Sequence, residues 1–299
     1  MKIISKNIQT IGFTIAALIA FAANSVLCRI ALKDNAIDAS SFTTIRLLSG
    51  TLMFLILFSF KSRQFTNTTR KNTGNWKAVL MLFIYTLGFS YAYTLLDTGI
   101  GALVLFGAVQ LTMIGASTFK GKRLNKFEWV GVLISFSGLA YLVYPTLTTP
   151  SFFGFVLMIL SGVAWGIYTL IGYNSTNSIG DTAYNFKHTV PLVVVLIVVT
   201  LPTISISFYG ITLAVISGAF ASALGYTIWY FVLSNLSEIE AAVVQLSVPV
   251  IAAIGGVLFV SETINMRLVM ACVLVLGGIF TVLSSRWNFT KKKTSTYNH

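Results

Sequence analysis

The polar side chains set inside the apolar stretches of this 299-residue chain are of kinds that bind rather than react. Asn24, Gln110 and Gln245 each carry an amide, which donates and accepts hydrogen bonds without a charge. In an apolar segment such an amide either bonds to a neighbouring helix or faces a wet cavity. Trp165 and Tyr168 are three residues apart and share a helix face. With Tyr226, Trp229 and Tyr230 they offer an aromatic wall for apolar or planar molecules, or else ordinary packing. Tyr91 is read as the deepest of the tyrosines Tyr85, Tyr91 and Tyr93. Ser222 belongs to a run of small residues from Ser217 to Gly225, which allows close helix approach or leaves space beside a cavity.

Reactive chemistry is poorly supplied. There is no phosphate-binding glycine loop and no paired set of metal ligands, and the histidines are His188 and the terminal His299. No catalytic residue, metal or cofactor is expected. Five of the eight acids lie in or near loops, at Asp34, Asp38, Asp97, Asp181 and Glu262; Glu128, Glu238 and Glu240 sit at the starts of apolar runs. None is where a mid-membrane proton carrier would stand. Histidine exchanges protons near neutral pH, so His188 is the available carrier if coupling needs one. Lys187 beside it lies roughly 8 Å into its run and can snorkel to water. Pro191 is placed to kink the same helix.

The elements that must position these groups follow from composition. Hydrophobic residues make up 56% and charged residues 9%, and the mean hydropathy is +0.85, too much apolar surface for a soluble domain of this length. Crossing a bilayer core of about 30 Å takes about 20 apolar residues in a helix. Ten such runs are predicted near Thr10–Ile30, Phe42–Phe60, Trp76–Leu96, Ile100–Phe119, Phe127–Tyr144, Phe152–Gly172, Thr182–Leu201, Phe208–Leu233, Ile239–Val260 and Met266–Ser285. A β-barrel would show short alternating strands instead. The expected class is an all-α polytopic membrane protein.

The net charge of +12 would suit nucleic acid, but its distribution points elsewhere. Fifteen of the 20 Lys and Arg fall in four clusters: Lys2 and Lys6; Lys61 to Lys77; Lys120 to Lys126; and Arg286 with Lys291 to Lys293. With ten spans and a cytoplasmic amino terminus, all four lie on the cytoplasmic side of the inner membrane, as does the carboxyl terminus. The bilayer is the expected partner, and nucleic acid is not. Arg29 and Arg46, at the outer ends of spans one and two, read as anchors to lipid phosphates. Ala20-Phe21-Ala22 after a basic start mimics a signal-peptide cleavage site, but span one has a counterpart in span six that argues for its retention. Cys28 and Cys272 read as small buried hydrophobes.

A shift of about 140 residues lays the second half on the first. Gly12-Phe13 meets Gly154-Phe155 and Ala22 meets Ala164. Ile100, Ala102, Val104 and Val109 meet Ile239, Ala241, Val243 and Val248; Gly138-Leu139 meets Gly278-Ile279. Five spans per half is odd, so the second half starts on the opposite side, giving two inverted five-helix repeats with a site expected near the midplane. The expected units are residues 8–145, 150–286 and a basic cytoplasmic tail, 287–299.

Gly12 and Gly154, Ala164-Trp165-Gly166, Pro249, Ser261-Glu262-Thr263-Ile264, Gly138 and Gly277-Gly278 together resemble the drug/metabolite transporter superfamily, in particular the EamA-type exporters with two five-helix domains. The resemblance covers residues 8 to 285. It implies export of a small-molecule substrate by alternating access through a cavity lined by spans one, three, four, six, eight and nine, with spans five and ten peripheral. Those spans hold Asn24, Tyr91, Gln110, Trp165, Tyr168, Ser222, Tyr226, Trp229 and Gln245. Uncharged amides, hydroxyls and rings suit an amino acid or related metabolite. A drug exporter, a membrane enzyme and a non-transporting sensor or scaffold are the competing readings, and monomer and homodimer are both open. Two positions depart from the pattern: Gln110 stands where the second half has Pro249, and Lys122-Arg123 where it has Glu262-Thr263. Span four should therefore lack the proline kink of span nine.

In a background without Cys28 and Cys272, the variants Lys122→Cys and Lys291→Cys should both resist a membrane-impermeant maleimide in intact cells and react once the cells are opened. Labelling of only one from outside would break the ten-span arrangement.

Overall fold

Hydrocarbon offers no hydrogen bonds, so each apolar run must satisfy its backbone within itself, and a helix does so. The computed structural model describes residues 2–60, 74–119, 125–143, 151–173, 175–236 and 238–296. The helices are α1 (Lys2–Lys33), α2 (Ala39–Phe60), α3 (Trp76–Tyr93), α4 (Thr98–Phe119), α5 (Lys126–Val143), α6 (Ser151–Gly172) and α7 (Ser178–Thr200). After a 3₁₀ turn come α8 (Phe208–Ile216), a π-helical segment (Ser217–Leu224) and α9 (Gly225–Leu233). The chain ends in α10 (Glu238–Gln245), α11 (Val248–Val260) and α12 (Met266–Thr296). Among the described residues, extended pairing is confined to an isolated bridge between Ile37 and Ile206.

Among the described residues, seven stretches are long and apolar enough to cross a membrane: Gln9–Lys33, Ala39–Ser59, Thr98–Phe119, Phe152–Gly172, Ser178–Thr203, Phe208–Leu233 and Glu240–Val260. Three expected spans fall short of that measure. The 18-residue α3 opens on Trp76-Lys77 and carries three tyrosines, α5 opens on Lys126 with Glu128 in its first turn, and α12 counts as a shorter apolar helix over Met266–Val282 among the described residues. Lys61, Arg63, Arg70, Lys71, Lys120, Lys122, Arg123, Tyr144 and His299 lie outside the described residues.

Two expected runs are not single regular helices. The run Ile239–Val260 breaks at Leu246-Ser247, so that Pro249, which has no N–H to give, sits in the first turn of α11. Through Gln110, by contrast, α4 continues unbroken, as the Gln-for-Pro difference leads one to expect. The run Phe208–Leu233 changes pitch over Ser217–Leu224, a feature that its composition does not announce. At Pro191, α7 passes without a break.

Packing is reciprocal between the halves. Helix α6 lies on α3 and α4, while α1 lies on α9, the π segment and α11; α2 packs on the π segment and α7, and α5 mainly on α12. The α2 contact is unusually close: a Cβ on Gly218 would lie 2.1 Å from both the Arg46 carbonyl and Ser49 Oγ. Gly162 admits α4 in the same way, its Cβ position being 2.5 Å from the Leu105 carbonyl. Val198, Val199, Phe208, Leu258 and Phe259 point outward, as lipid-facing residues should.

The α1–α2 connection is tied to the segment before α8. Asp38 N–H donates to the Ser205 carbonyl at 2.9 Å, Ser205 N–H returns 2.9 Å to Asp38 Oδ2, and Ser207 N–H donates to the Ala36 carbonyl at 2.9 Å. Asp38 also caps α2, accepting from Ser41 N–H at 2.9 Å and from the Ser40 hydroxyl. Partial burial pushes its carboxyl up, but the bonds from Ser40, Ser41 and Ser205 outweigh that and hold it below the ordinary 3.8. The ionised form is therefore favoured by the fold. Its contribution is present above pH 4 and is lost as pH falls through the lowered value. Asp38→Asn should lower thermal stability at pH 7 by about 1 kcal/mol, the usual worth of a cap, and should shrink the loss that the unaltered protein suffers on acidification below pH 4, both read by thermal unfolding in detergent.

Candidate functional site

Arg46 lies seven residues past Ala39, about 10 Å along the helix at 1.5 Å per residue. It is 0% exposed. Its Nε donates to Ser222 Oγ at 2.9 Å, and its Nη2 to Tyr226 Oη at 2.6 Å and Tyr85 Oη at 3.2 Å. The Tyr226 hydroxyl donates to that of Tyr85 at 3.1 Å. The guanidinium also faces the rings of Phe89 and Tyr85, 4.9 and 5.4 Å from their centroids, where the ring quadrupole attracts a cation. Among the described residues, no carboxylate pairs with it.

The π segment arranges the hydroxyls. Ser217 and Ser222 both donate to Asn24 Oδ1, at 2.7 and 3.2 Å. Residues five apart diverge by about 140° on an α-helix, whereas the i→i+5 repeat of a π-helix returns them to one face. Around this network stands an aromatic box. The Trp165 ring centroid is 4.6 Å from Tyr226, 4.9 Å from Tyr85, 5.3 Å from Tyr168 and 5.4 Å from Phe21; Trp229 lies 5.4 Å from Phe21. Asn24 Nδ2, Arg46 Nη1, Trp165 Nε1 and Trp229 Nε1 are buried without a protein hydrogen-bond partner.

A second polar knot holds the end of the bundle where α1 finishes. Arg29 pairs through Nη2 with Asp97 at 2.8 Å and through Nε with Glu262 at 3.1 Å, and its Nη1 donates to the Tyr93 carbonyl at 2.9 Å. Ser261 takes a left-handed φ of 55°, which turns the chain so that Glu262 reaches the first turn of α4, where it accepts from Thr98 N–H at 2.9 Å and Thr98 Oγ1 at 3.1 Å. A carboxylate is favoured there by the unpaired N–H groups of the helix start. Lys33 Nζ donates to the Val260 carbonyl at 2.8 Å.

Of the residues singled out from sequence, Asn24, Trp165, Tyr168, Ser222, Tyr226 and Trp229 meet in this interior. Gln110 and Gln245 are buried beside α10 instead: Gln110 Nε2 donates to the Ala242 carbonyl at 3.0 Å, Gln245 Nε2 to Ala241 at 3.2 Å, and both Oε1 atoms lack a partner. Tyr91 is 37% exposed and stands apart. Tyr85, six residues earlier and about 120° around the helix, is the tyrosine that reaches Arg46, while Tyr93 is buried near the end of α3. His188 stacks on Tyr184, with ring centroids 3.7 Å apart, and meets Trp76 edge-on at 5.6 Å, so its ring contacts lie outside the Arg46 network. Lys187 is exposed, as a snorkelling lysine would be.

The anchor reading of the two arginines is corrected: Arg29 is an ion-pair centre and Arg46 the hub of the interior. The signal for Arg46 was available in Asp38-Ala39-Ser40-Ser41, a cap that starts α2 at Ala39 rather than Phe42 and so takes Arg46 too deep to reach lipid phosphates. No group of His, Cys, Asp and Glu among the described residues is placed to hold a metal.

Residues 9–144 and 152–284 each match the EamA-like transporter family. An uncharacterized protein of Pseudomonas aeruginosa is 43% identical over 93% of this chain and 96% of its own length. An uncharacterized transporter of Bacillus subtilis is 19% identical over 84% and 88%, and another from Archaeoglobus fulgidus 25% identical over 68% and 74%. A crystal structure with 16% identity superposes with a TM-score of 0.61 over 89% of this chain and 96% of that one, a likeness of fold alone.

Glu262→Gln keeps the shape of this second knot while removing the charge that Arg29 and the α4 start both use. It should cost about 1–3 kcal/mol of stability. Asp97→Asn should cost much less, because that side chain is 55% exposed and water screens its pair. Thermal unfolding of the two variants in detergent checks the order.

Proposed function

The chain belongs to the EamA-like transporter family, and on that premise we propose that it exports small amphipathic metabolites, amino acids among them, by alternating access between two inverted five-helix halves. The family makes it a multi-pass membrane transporter; cargo, mechanism and repeat are this reading's own. The single observation that carries the reading is that both halves build one buried polar and aromatic cluster, which this reading takes as the lining of the transport chamber: Asn24, Arg46 and Tyr85 come from the first, Trp165, Ser222 and Tyr226 from the second.

Contacts at the two ends of the bundle support ten crossings. The end of α1, the α3–α4 connection and the residues after α11 meet through Arg29. The start of α3 meets α7 through Trp76 and His188, and Asn125 before α5 donates to Ser285 in α12 at 2.8 Å. On this reading each helix between these groups runs from one end to the other; the 18 residues of α3 extend about 27 Å, close to a hydrocarbon core of about 30 Å. The reciprocal packing of α1 on α9 and α11, and of α6 on α3 and α4, is what a two-fold relation between residues 8–145 and 150–286 requires. Tyr85 and Tyr226, whose hydroxyls bond to each other, are 141 residues apart, near the repeat shift, as two copies of one residue on the axis would be. By the positive-inside rule, the termini face the cytoplasm of the inner membrane.

Comparison of metabolite accumulation between cells with and without the protein, followed by flux from proteoliposomes, tests the reading. Trp165→Ala and Ser222→Ala should each lower flux about tenfold, the worth of a lost contact of about 1.4 kcal/mol, while leaving membrane insertion intact. Trp165→Phe keeps most of the ring volume and controls for the cavity that alanine opens. Unchanged flux in both alanine variants would remove the chamber from the mechanism, and no flux of a broad metabolite panel by the unaltered protein would end the transporter reading.

A further inference from the structure

Resting on that transporter reading, we infer that Arg46 is the docking point for a carboxylate on the cargo, so that the substrates are small carboxylic acids with an apolar or aromatic body. The two interior arginines differ in the point that matters. Arg29 faces Asp97 and Glu262, whereas Arg46, at 0% exposure, is hydrogen-bonded only to neutral hydroxyls and has rings and the Cys28 thiol as its further neighbours, with no carboxylate paired to it among the described residues. A buried cation without an anion is costly in a membrane interior. A cargo carboxylate supplies the missing charge at the moment of binding.

Donor chemistry agrees with that charge. Ser222, Tyr226 and Tyr85 hold the guanidinium at Nε and Nη2, which fixes the plane of its fork and leaves Nη1 unpartnered. Asn24 Nδ2 and the indole N–H groups of Trp165 and Trp229 are also unpartnered donors. Asn24 bonds Ser222, Trp165 packs on Tyr85 and Tyr226, and Trp229 follows through Phe21, so each lies within two contacts of a residue that holds the guanidinium. Around this arginine the unmet capacity is for accepting groups, and an ionised carboxylate is acceptor-only and matches a planar guanidinium fork. Its single charge equals that of Arg46, which a phosphate dianion would exceed. The rings of Phe21, Trp165 and Tyr168 are left to cover the apolar body. A lipophilic cation would meet the guanidinium's repulsion, which sets this site against the drug-exporter alternative.

The test uses four matched probes on the full chain: 3-phenylpropionate, its neutral amide, phenethylammonium and phenyl phosphate. Binding is read as quenching of tryptophan fluorescence in detergent, since Trp165 and Trp229 lie in the chamber, and movement as counterflow from proteoliposomes. We expect 3-phenylpropionate to bind at least tenfold more tightly than the amide or phenethylammonium and more tightly than phenyl phosphate. Arg46→Gln should abolish that preference and Arg46→Lys restore part of it. The comparison of acid with amide is made on the unaltered protein, so it decides the matter even where a variant fails to insert. An amide or cation that binds as well as the acid, a phosphate that binds better, or a panel to which the protein is silent overturns the inference and leaves the transporter reading to its own flux test. An acid that binds selectively but is not moved supports the carboxylate site and overturns the transporter reading instead.

Discussion

A guanidinium two turns inside a membrane helix must be surrounded, and the interior of this protein is organised around doing so. Arg46 reaches hydroxyls on three elements, α3, the π segment and α9, which must each present oxygen at one depth. That depth is accessible because Gly218 removes the side chain that would otherwise hold the π segment off α2. Hydrogen bonds and aromatic faces spread the charge without cancelling it. The result is a centre rigid in geometry and still one charge short of neutral.

The knot around Arg29 solves the same problem in the opposite way. Arg29 is matched by two carboxylates, and one of them, Asp97, is half in water, where its share of the attraction is weak. Contacts of this kind can be exchanged at low cost, whereas breaking the Arg46 bonds would strand polar groups in an apolar interior. The alternating access proposed above would use a difference of that sort: a centre that persists and an end that can part. The tie between Asp38 and Ser205 joins loops at the same end and extends the set of polar contacts that opening would have to rearrange.

The helical class, most helix positions and the effect of Pro249 were legible because each depends on local chemistry: apolar length, or a missing N–H. Six of the nine residues singled out from the sequence meet in one buried cluster because a polar or aromatic side chain in an apolar run has few alternatives to facing another helix. What escaped depends on direction and depth. Tyr85 and Tyr91 are chemically the same, and only the rotation of α3 decides that the first faces inward. The π segment brings Ser217 and Ser222 to Asn24 and Gly218 to α2, partners distant in sequence that its own composition does not name. Arg46 was misread because moving the start of α2 by three residues changes a surface anchor into a buried hub.

The proposed two-fold relation is broken where it matters for charge. At the 142-residue shift that pairs Gly12 with Gly154, Arg46 falls on His188. The first is enclosed by the chamber; the second turns to Tyr184 and Trp76 near the start of α7. Likewise, Gln110 keeps α4 continuous while Pro249 divides its counterpart into α10 and α11. Two equivalent arginines on the axis would repel each other across the Tyr85–Tyr226 contact, so a single cation is the arrangement that a close-packed pseudo-symmetric centre can hold. Asymmetry also gives the chamber a direction. One half supplies the fixed charge and an unbroken α4, and the other supplies the aromatic faces of Trp165 and Trp229 with the broken helix. A bound molecule with one charged end and one apolar end would then be held by both halves at once, coupling its presence to their relative position.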